Sequence, residues 1–291
     1  MADRHPTCNP LLQTAAKARS VLTPAALDGV GRFLCELRNR DGGFPGPPSE
    51  EATGGAPSDV YFTLFGLMGL AAVGQPPSAL QEALAFLRKQ KCKSLDDTHR
   101  AALALSLSLL GDASPAGRAL SYEKDVAQTA YGLFLAALLD RNAGRRRSKG
   151  DGVRRLQSLR CRNGGYSNSA EAAGPTAAAT AAALMVRHWS GAGLDLEAVN
   201  WLLSTSLTHR GFRNAPQSPE ADLLSTAVSL FALGSLGQAR ADVALRCLDF
   251  ADACRRPSGG FAAHPDYGEP DCEYTFYALL AAGAARWSVL P

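Results

Sequence analysis

Residues 256–283 read RPSGGFAAHPDYGEPDCEYTFYALLAAG: an arginine, a double glycine before an aromatic, a Gly/Pro-rich loop, an aspartate, then an apolar stretch of helical length. The same phrase opens at Arg40-Asp41-Gly42-Gly43-Phe44 and at Arg162-Asn163-Gly164-Gly165-Tyr166, and a shortened copy is Arg210-Gly211-Phe212. Gly164 to Gly211 is 47 residues and Gly211 to Gly259 is 48, the length of one helical hairpin with its loops.

Each copy continues alike. Asp59 precedes VYFTLFGLMGLAAVG, Thr176 precedes AAATAAALMV, Asp222 precedes LLSTAVSLFALGSLG and Asp271 precedes CEYTFYALLAAGAA. Two copies without the double glycine keep the acid, at Asp97 before THRAALALSLSLLG and at Asp125 before VAQTAYGLFLAALL. Asp and Thr accept hydrogen bonds from the free amides of a helix start, so this column predicts six N-caps. The helices they open are apolar nearly all round, as buried helices are. Amphipathic, arginine-rich outer helices are expected over Thr23–Arg38, Ser78–Lys89, Asp151–Cys161, Asp195–Leu207 and Arg240–Cys254, with a stunted one at Pro115–Tyr122. Glycine closes each outer helix in the left-handed conformation, and Arg38, Arg40, Arg160, Arg162, Arg255 and Arg256 suit the negative end of the dipole. Arg141–Asp151 reads as an exposed basic loop.

The expected fold is therefore all-α, a single six-hairpin α-α toroid with inner and outer rings over residues 23–291, preceded by a helical extension over 1–22. Closure removes the open ends that a solenoid must cap. The 291 residues carry a net charge of +3, too little to point to nucleic acid or an anionic membrane. Seven cysteines without a CxxC pair signal no disulfide framework or zinc ribbon and fit a reducing, cytoplasmic setting. Neither a signal peptide nor a membrane span is expected.

These repeats resemble those of protein prenyltransferase β-subunits and, more distantly, of squalene and hopene cyclases, over nearly the whole chain. The resemblance implies a central funnel for an isoprenoid tail and loops at the mouth that hold diphosphate. It also implies a zinc ion that activates an acceptor thiolate, and a separate helical-repeat α-type subunit or a homodimer as partner. The family's zinc ligands fall here at Asp222, Leu224 and Tyr274, so only the aspartate is kept; in the other register Asp271 is followed by Glu273, with Phe62 in the histidine place. A different set would be His264, Asp271 and Cys272, with Asp266 or Cys254. The family's basic residues before the aspartate are Pro216 and Pro219 here, leaving Arg213, His209, Arg210, Arg100 or His264 to meet a diphosphate. The cyclases protonate an alkene with the central acid of Asp-x-Asp-Asp-Thr, and Ser94-Leu95-Asp96-Asp97-Thr98-His99 places Asp96 there.

Aromatic side chains on the first turns of the inner helices, Tyr61, Phe62 and Phe65, Tyr131 and Phe134, Tyr274, Phe276 and Tyr277, are candidates to line the funnel. A fifteen-carbon tail gains about 10 kcal/mol gross at roughly 0.8 kcal/mol per carbon. Association costs on the order of 4–15 kcal/mol, so polar contacts must add to it. Three functions follow: an isoprenoid-diphosphate-binding prenyltransferase using Asp222 and Asp271; an inactive toroid that binds lipid or protein; and a terpene cyclase using Asp96. His99, Arg100, Arg213 and His264 are the candidate polar contacts.

Overall fold

The computed structural model describes residues 9–46, 56–112, 129–144 and 151–289. Six long helices form the inner ring: α3 (Val60–Val73), α6 (Asp97–Leu109), α7 (Ala130–Asn142), α9 (Ala177–Trp189), α11 (Leu223–Ser235) and α13 (Cys272–Val289). Each packs on the next, and α13 packs on α3, so the ring closes. The described outer helices are α2 (Pro24–Leu37), the short pair α4 (Pro77–Gln81) and α5 (Leu84–Arg88), α8 (Asp151–Ser158), α10 (Leu196–Trp201) with one π turn after it, and α12 (Ala241–Ala253). The outer helix expected at Pro115–Tyr122, the start at Asp125 and the arginines 145–147 lie outside the described residues.

Three details of the sequence reading are corrected. Asp96, not Asp97, caps α6, accepting the His99 amide at 2.9 Å. Inner helix α7 begins at Ala130 under a Thr129 cap rather than at Asp125. Arg141 sits in the last turn of α7 with its guanidinium over the Trp189 ring, not in a loop.

The glycine loops hold the ring together. Gly42, Gly164 and Gly259 have φ of 88°, 92° and 96°, a conformation that side chains resist. A Cβ on any of them would run into a backbone carbonyl of the next outer element: Glu82, Glu197 and, for the last copy, Gly29 of the first hairpin. The second glycines lie against aromatic rings: Gly43 on Phe86, Gly165 on Trp201, Gly211 on Phe250 and Gly260 on Phe33. The last of these joins the sixth hairpin to α2. The aromatic residue that follows each pair, Phe44, Tyr166, Phe212 or Phe261, is buried.

Buried backbone demands a partner, and one threonine per copy supplies it. The amides of Phe44, Tyr166, Phe212 and Phe261 donate to the hydroxyls of Thr63, Thr180, Thr226 and Thr275 at 2.9–3.0 Å. Each threonine stands four residues after the cap of its inner helix. The arginines of these loops bind structure: Arg160 pairs with Asp195 and Glu197, and Arg256 donates to the carbonyls of His264, Tyr267 and Gly268.

At the opposite end from the inner-helix caps lies the N-terminal segment. Helix α1 (Pro10–Ala15), capped by the Asn9 side chain, continues as a 3-10 turn over Ala16–Ser20 and packs on α3 and α13. Gly283 of α13 lies against the Thr14 carbonyl so closely that no side chain fits there. Among the described residues no helix is long and apolar enough to cross a membrane.

The threonine contact predicts that Thr226→Val, nearly the same shape, leaves the Phe212 amide buried without an acceptor. Chemical denaturation is expected to show a loss of roughly 1–3 kcal/mol; a loss below about 0.5 kcal/mol would mean that the hydroxyl is not what holds the loop.

Candidate functional site

Because the inner helices all start at one end, their first turns build a mouth and their middles a chamber. The chamber has a volume of about 250 Å³ and takes side chains from all six inner helices, with Leu11 of α1 closing its far end beside Met68. Its wall is almost wholly carbon; Ala178, Ala181 and Ala182 leave the space, and Leu224, Val228 and Phe231 face it.

Of the aromatic residues named from sequence as candidates to line the funnel, Tyr61, Phe65, Tyr131, Phe134 and Tyr277 line the chamber, whereas Phe276 is buried in the core outside its wall. Phe62 and Tyr274 do not line it either: Phe62 packs edge-on against Tyr61, and its carbonyl accepts the Cys272 thiol at 3.2 Å, while the Tyr274 amide is held by Asp271 at 2.7 Å. Nor do His99, Arg100, Arg213 and His264 reach the wall. Each has a partner of its own. His99 lies between Asp96 at 2.9 Å and Asp59 at 3.1 Å, and Arg100 pairs with Asp97. Arg213 donates to the carbonyls of Pro216 at 3.3 Å and Ser218 at 3.5 Å. His264 is buried, faces Glu220 at 3.3 Å and stacks on Tyr267 with centroids 4.3 Å apart.

The acids at the mouth differ by environment. Asp96 is exposed, and although partial burial pushes its pKa upward, its bonds to His99 outweigh this and hold the carboxyl below the usual range. That corrects its proposed place as a protonated acid, which needs a dry setting. Burial lowers His99, but hydrogen bonds and charge from Asp96 and Asp59 win, and its pKa rises. Asp222 and Asp271 cap α11 and α13; burial raises both, Asp271 to about 6.

Glu273, absent from the sequence-based site, is an acid bonded directly to a residue of the chamber wall. Tyr61 donates to its Oε1 at 2.6 Å across the seam between α3 and α13, and Tyr277 in turn shares a hydrogen bond with Tyr61. Burial pushes the carboxyl up to about 7, the Tyr61 bond opposes this and the Asp271 charge adds to it. The signal in the sequence was an acid one turn from Tyr277 in an otherwise apolar helix start.

The zinc site implied by the resemblance does not fit these residues. Leu224 presents hydrocarbon to the chamber, and among the described residues no group of three or more His, Cys, Asp or Glu side chains is brought together to hold a metal. The alternative set of His264, Asp271 and Cys272 is likewise not assembled, since each is held by the separate partners given above.

The sequence that builds this closed ring of six inner helices with its glycine loops matches a known profile. That of the prenyltransferase alpha-alpha toroid domain covers residues 10–58 and 190–289. The chain belongs to this family. No curated protein matches it in sequence. Among solved structures, the toroid is similar to type II terpene cyclase MstE from Scytonema in its apo form, with 13% identity, 96% of this chain and 99% of that one covered, and a TM-score of 0.61. A point variant of that cyclase in complex with geranylgeranyl dihydroxybenzoate gives 14% identity over 96% and 99% of the two chains, with a TM-score of 0.57. Candida albicans protein geranylgeranyltransferase-I complexed with GGPP aligns at 12% identity over 93% and 82%, with a TM-score of 0.46. At such identities the likeness is one of fold.

The raised Glu273 has a pH signature. Its folded value of about 7 exceeds the ordinary 4.5, so the native state holds the extra proton between these values. Stability falls as pH rises through that window, and above it the buried charge costs in full. Glu273→Gln, which still accepts from Tyr61, is expected to stabilise the toroid by on the order of 2 kcal/mol above neutral pH and by almost nothing near pH 4. Equal effects at both pH values in thermal unfolding would refute the assignment.

Proposed function

We propose that the toroid binds the chain of an isoprenoid in its central chamber. The observation that carries this is the chamber wall: carbon from six helices around a space that the core packing leaves open, with polar atoms confined to the end where the tyrosines stand. Interiors seldom leave such voids. An apolar cavity of about 150 Å³ accepts benzene, six carbons; scaled to about 250 Å³, the guest has about ten. At roughly 0.8 kcal/mol per carbon, ten carbons gain about 8 kcal/mol gross, inside the range of association costs, so affinity depends on how well the head group is met. Family membership, and a cyclase of the same fold solved with a geranylgeranyl compound, support the class of guest. Zinc-activated transfer to a thiol forms no part of this proposal, because Leu224 and Tyr274 stand where ligands are needed.

Calorimetric titration of the protein with geraniol tests the proposal. Saturable binding at micromolar levels is expected, and Ala182→Phe, which fills the chamber from α9, is expected to weaken it by about tenfold or more, each tenfold being 1.4 kcal/mol. A folded protein that takes up no geraniol, or a folded Ala182→Phe variant that binds it unchanged, would contradict the proposal.

A further inference from the structure

We infer that the polar end of the chamber's guest is a cation, such as an alkylammonium, rather than a diphosphate. The inference rests on the chamber being a binding site and names the chemistry of its head group. Three observations at the mouth converge.

The first is the wall itself. Tyr61 and Tyr277 line the chamber from opposite sides of the α3–α13 seam, and Tyr131 lines it from α7 with its ring part-exposed at the mouth. Tyrosine faces carry negative charge density and attract cations within about 6 Å. Phe65 continues the aromatic surface inward, 4.9 Å from Tyr61 and 5.4 Å from Tyr277 between centroids.

The second is what stands behind these rings. The Glu273 carboxyl is one hydrogen bond behind the wall, through the Tyr61 hydroxyl. Burial raises the Tyr131 phenol, and the charge of nearby Asp222 adds to it. Burial leaves Asp222, Asp271 and Glu273 all above their ordinary pKa values; the charge of His264 offsets part of this at Asp222, and a bound cation would do the same at Asp271 and Glu273.

The third is the arrangement of helix ends. Six inner-helix N-termini meet at the mouth, and a bare N-terminus carries about half a positive charge that would favour an anion. Here Asp59, Asp96, Asp222 and Asp271 cap four of them, and Thr129 and Thr176 the other two. A full carboxylate outweighs the half-charge it caps. An incoming diphosphate would meet aspartate where phosphate-binding folds offer free amides. The cations that the sequence offered for a phosphate, Arg100, Arg213, His99 and His264, are engaged by acids or carbonyls, and His209 and Arg210 are exposed and outside the chamber wall.

Competition binding with three probes that share one ten-carbon chain tests the inference on the full-length protein at neutral pH: geranylamine, geraniol and geranyl diphosphate. The amine, charged like a lysine side chain, is expected to bind about tenfold tighter than the alcohol, and the diphosphate weakest of the three. In Glu273→Gln the advantage of amine over alcohol is expected to shrink several-fold. Diphosphate binding tightest, or amine and alcohol binding equally, would overturn the inference and leave the chamber as a binding site. If none of the three binds a folded protein, the failure is that of the chamber proposal itself. Should Glu273→Gln not fold, the ranking of the three probes on the unaltered protein still decides.

Discussion

Everything in this molecule depends on how one glycine loop meets the next outer helix. At the first glycine of each pair the backbone turns left-handed and touches a neighbouring carbonyl; at the second an aromatic ring from the following hairpin lies directly on the backbone. Neither contact tolerates a side chain. Repeated around the chain, this contact fixes the angle between hairpins, and its last instance, Gly259 and Gly260 on Gly29 and Phe33, returns the chain to its first hairpin. A helical repeat that closes leaves no exposed end, so the hydrophobic faces of all six inner helices are covered by each other.

The chamber and the acidity of its mouth both follow from closure. Six apolar helices arranged in a ring cannot all fill the axis when several of their inward positions are alanine, so space remains between Ala182 and Leu224. The N-terminal helix stops one end with Leu11. At the other end the helix starts need caps, and aspartate serves at four of them, which gathers carboxyls where the chamber opens. The same residues that stabilise helix starts therefore set the electrostatics of the entrance. Glu273 differs, because it caps nothing and is held instead by a tyrosine of the opposite side of the seam.

Most of the architecture was legible in the sequence because the repeat is written in residue types that have few other uses. A double glycine before an aromatic, followed by a cap and an apolar run, fixes hairpin, loop and helix start together, and the caps at Asp59, Thr176, Asp222 and Asp271 stand where the pattern put them. The copies that lack glycines were read less well. With two aspartates in a row, Asp96 and Asp97, spacing alone does not say which one caps, and α7 took Thr129 over the earlier acid. The threonine that holds each aromatic amide was visible in every strong copy, four residues after the cap, yet a buried hydroxyl in an apolar run carries no periodic signal.

Facing directions inside the ring were the harder part. An inner helix buried all round has no polar side to orient it, so Phe62 and Tyr274 were as eligible as Tyr61 and Tyr277 until the packing was known. The basic residues were chosen from loop position, and their partners, Asp97, Glu220 and the carbonyls after Pro216, come from folding. Pairing of this kind depends on tertiary contacts that spacing does not encode.

The central claim is that the guest lies along the axis of the ring, and a crystal structure of the protein grown with saturating geraniol tests it most directly. The account predicts continuous density between Ala182 and Leu224, with the hydroxyl at the Tyr61–Tyr277 end and the chain running toward Leu11. Density for the alcohol only on the outer surface, around an unchanged and empty chamber, would contradict it.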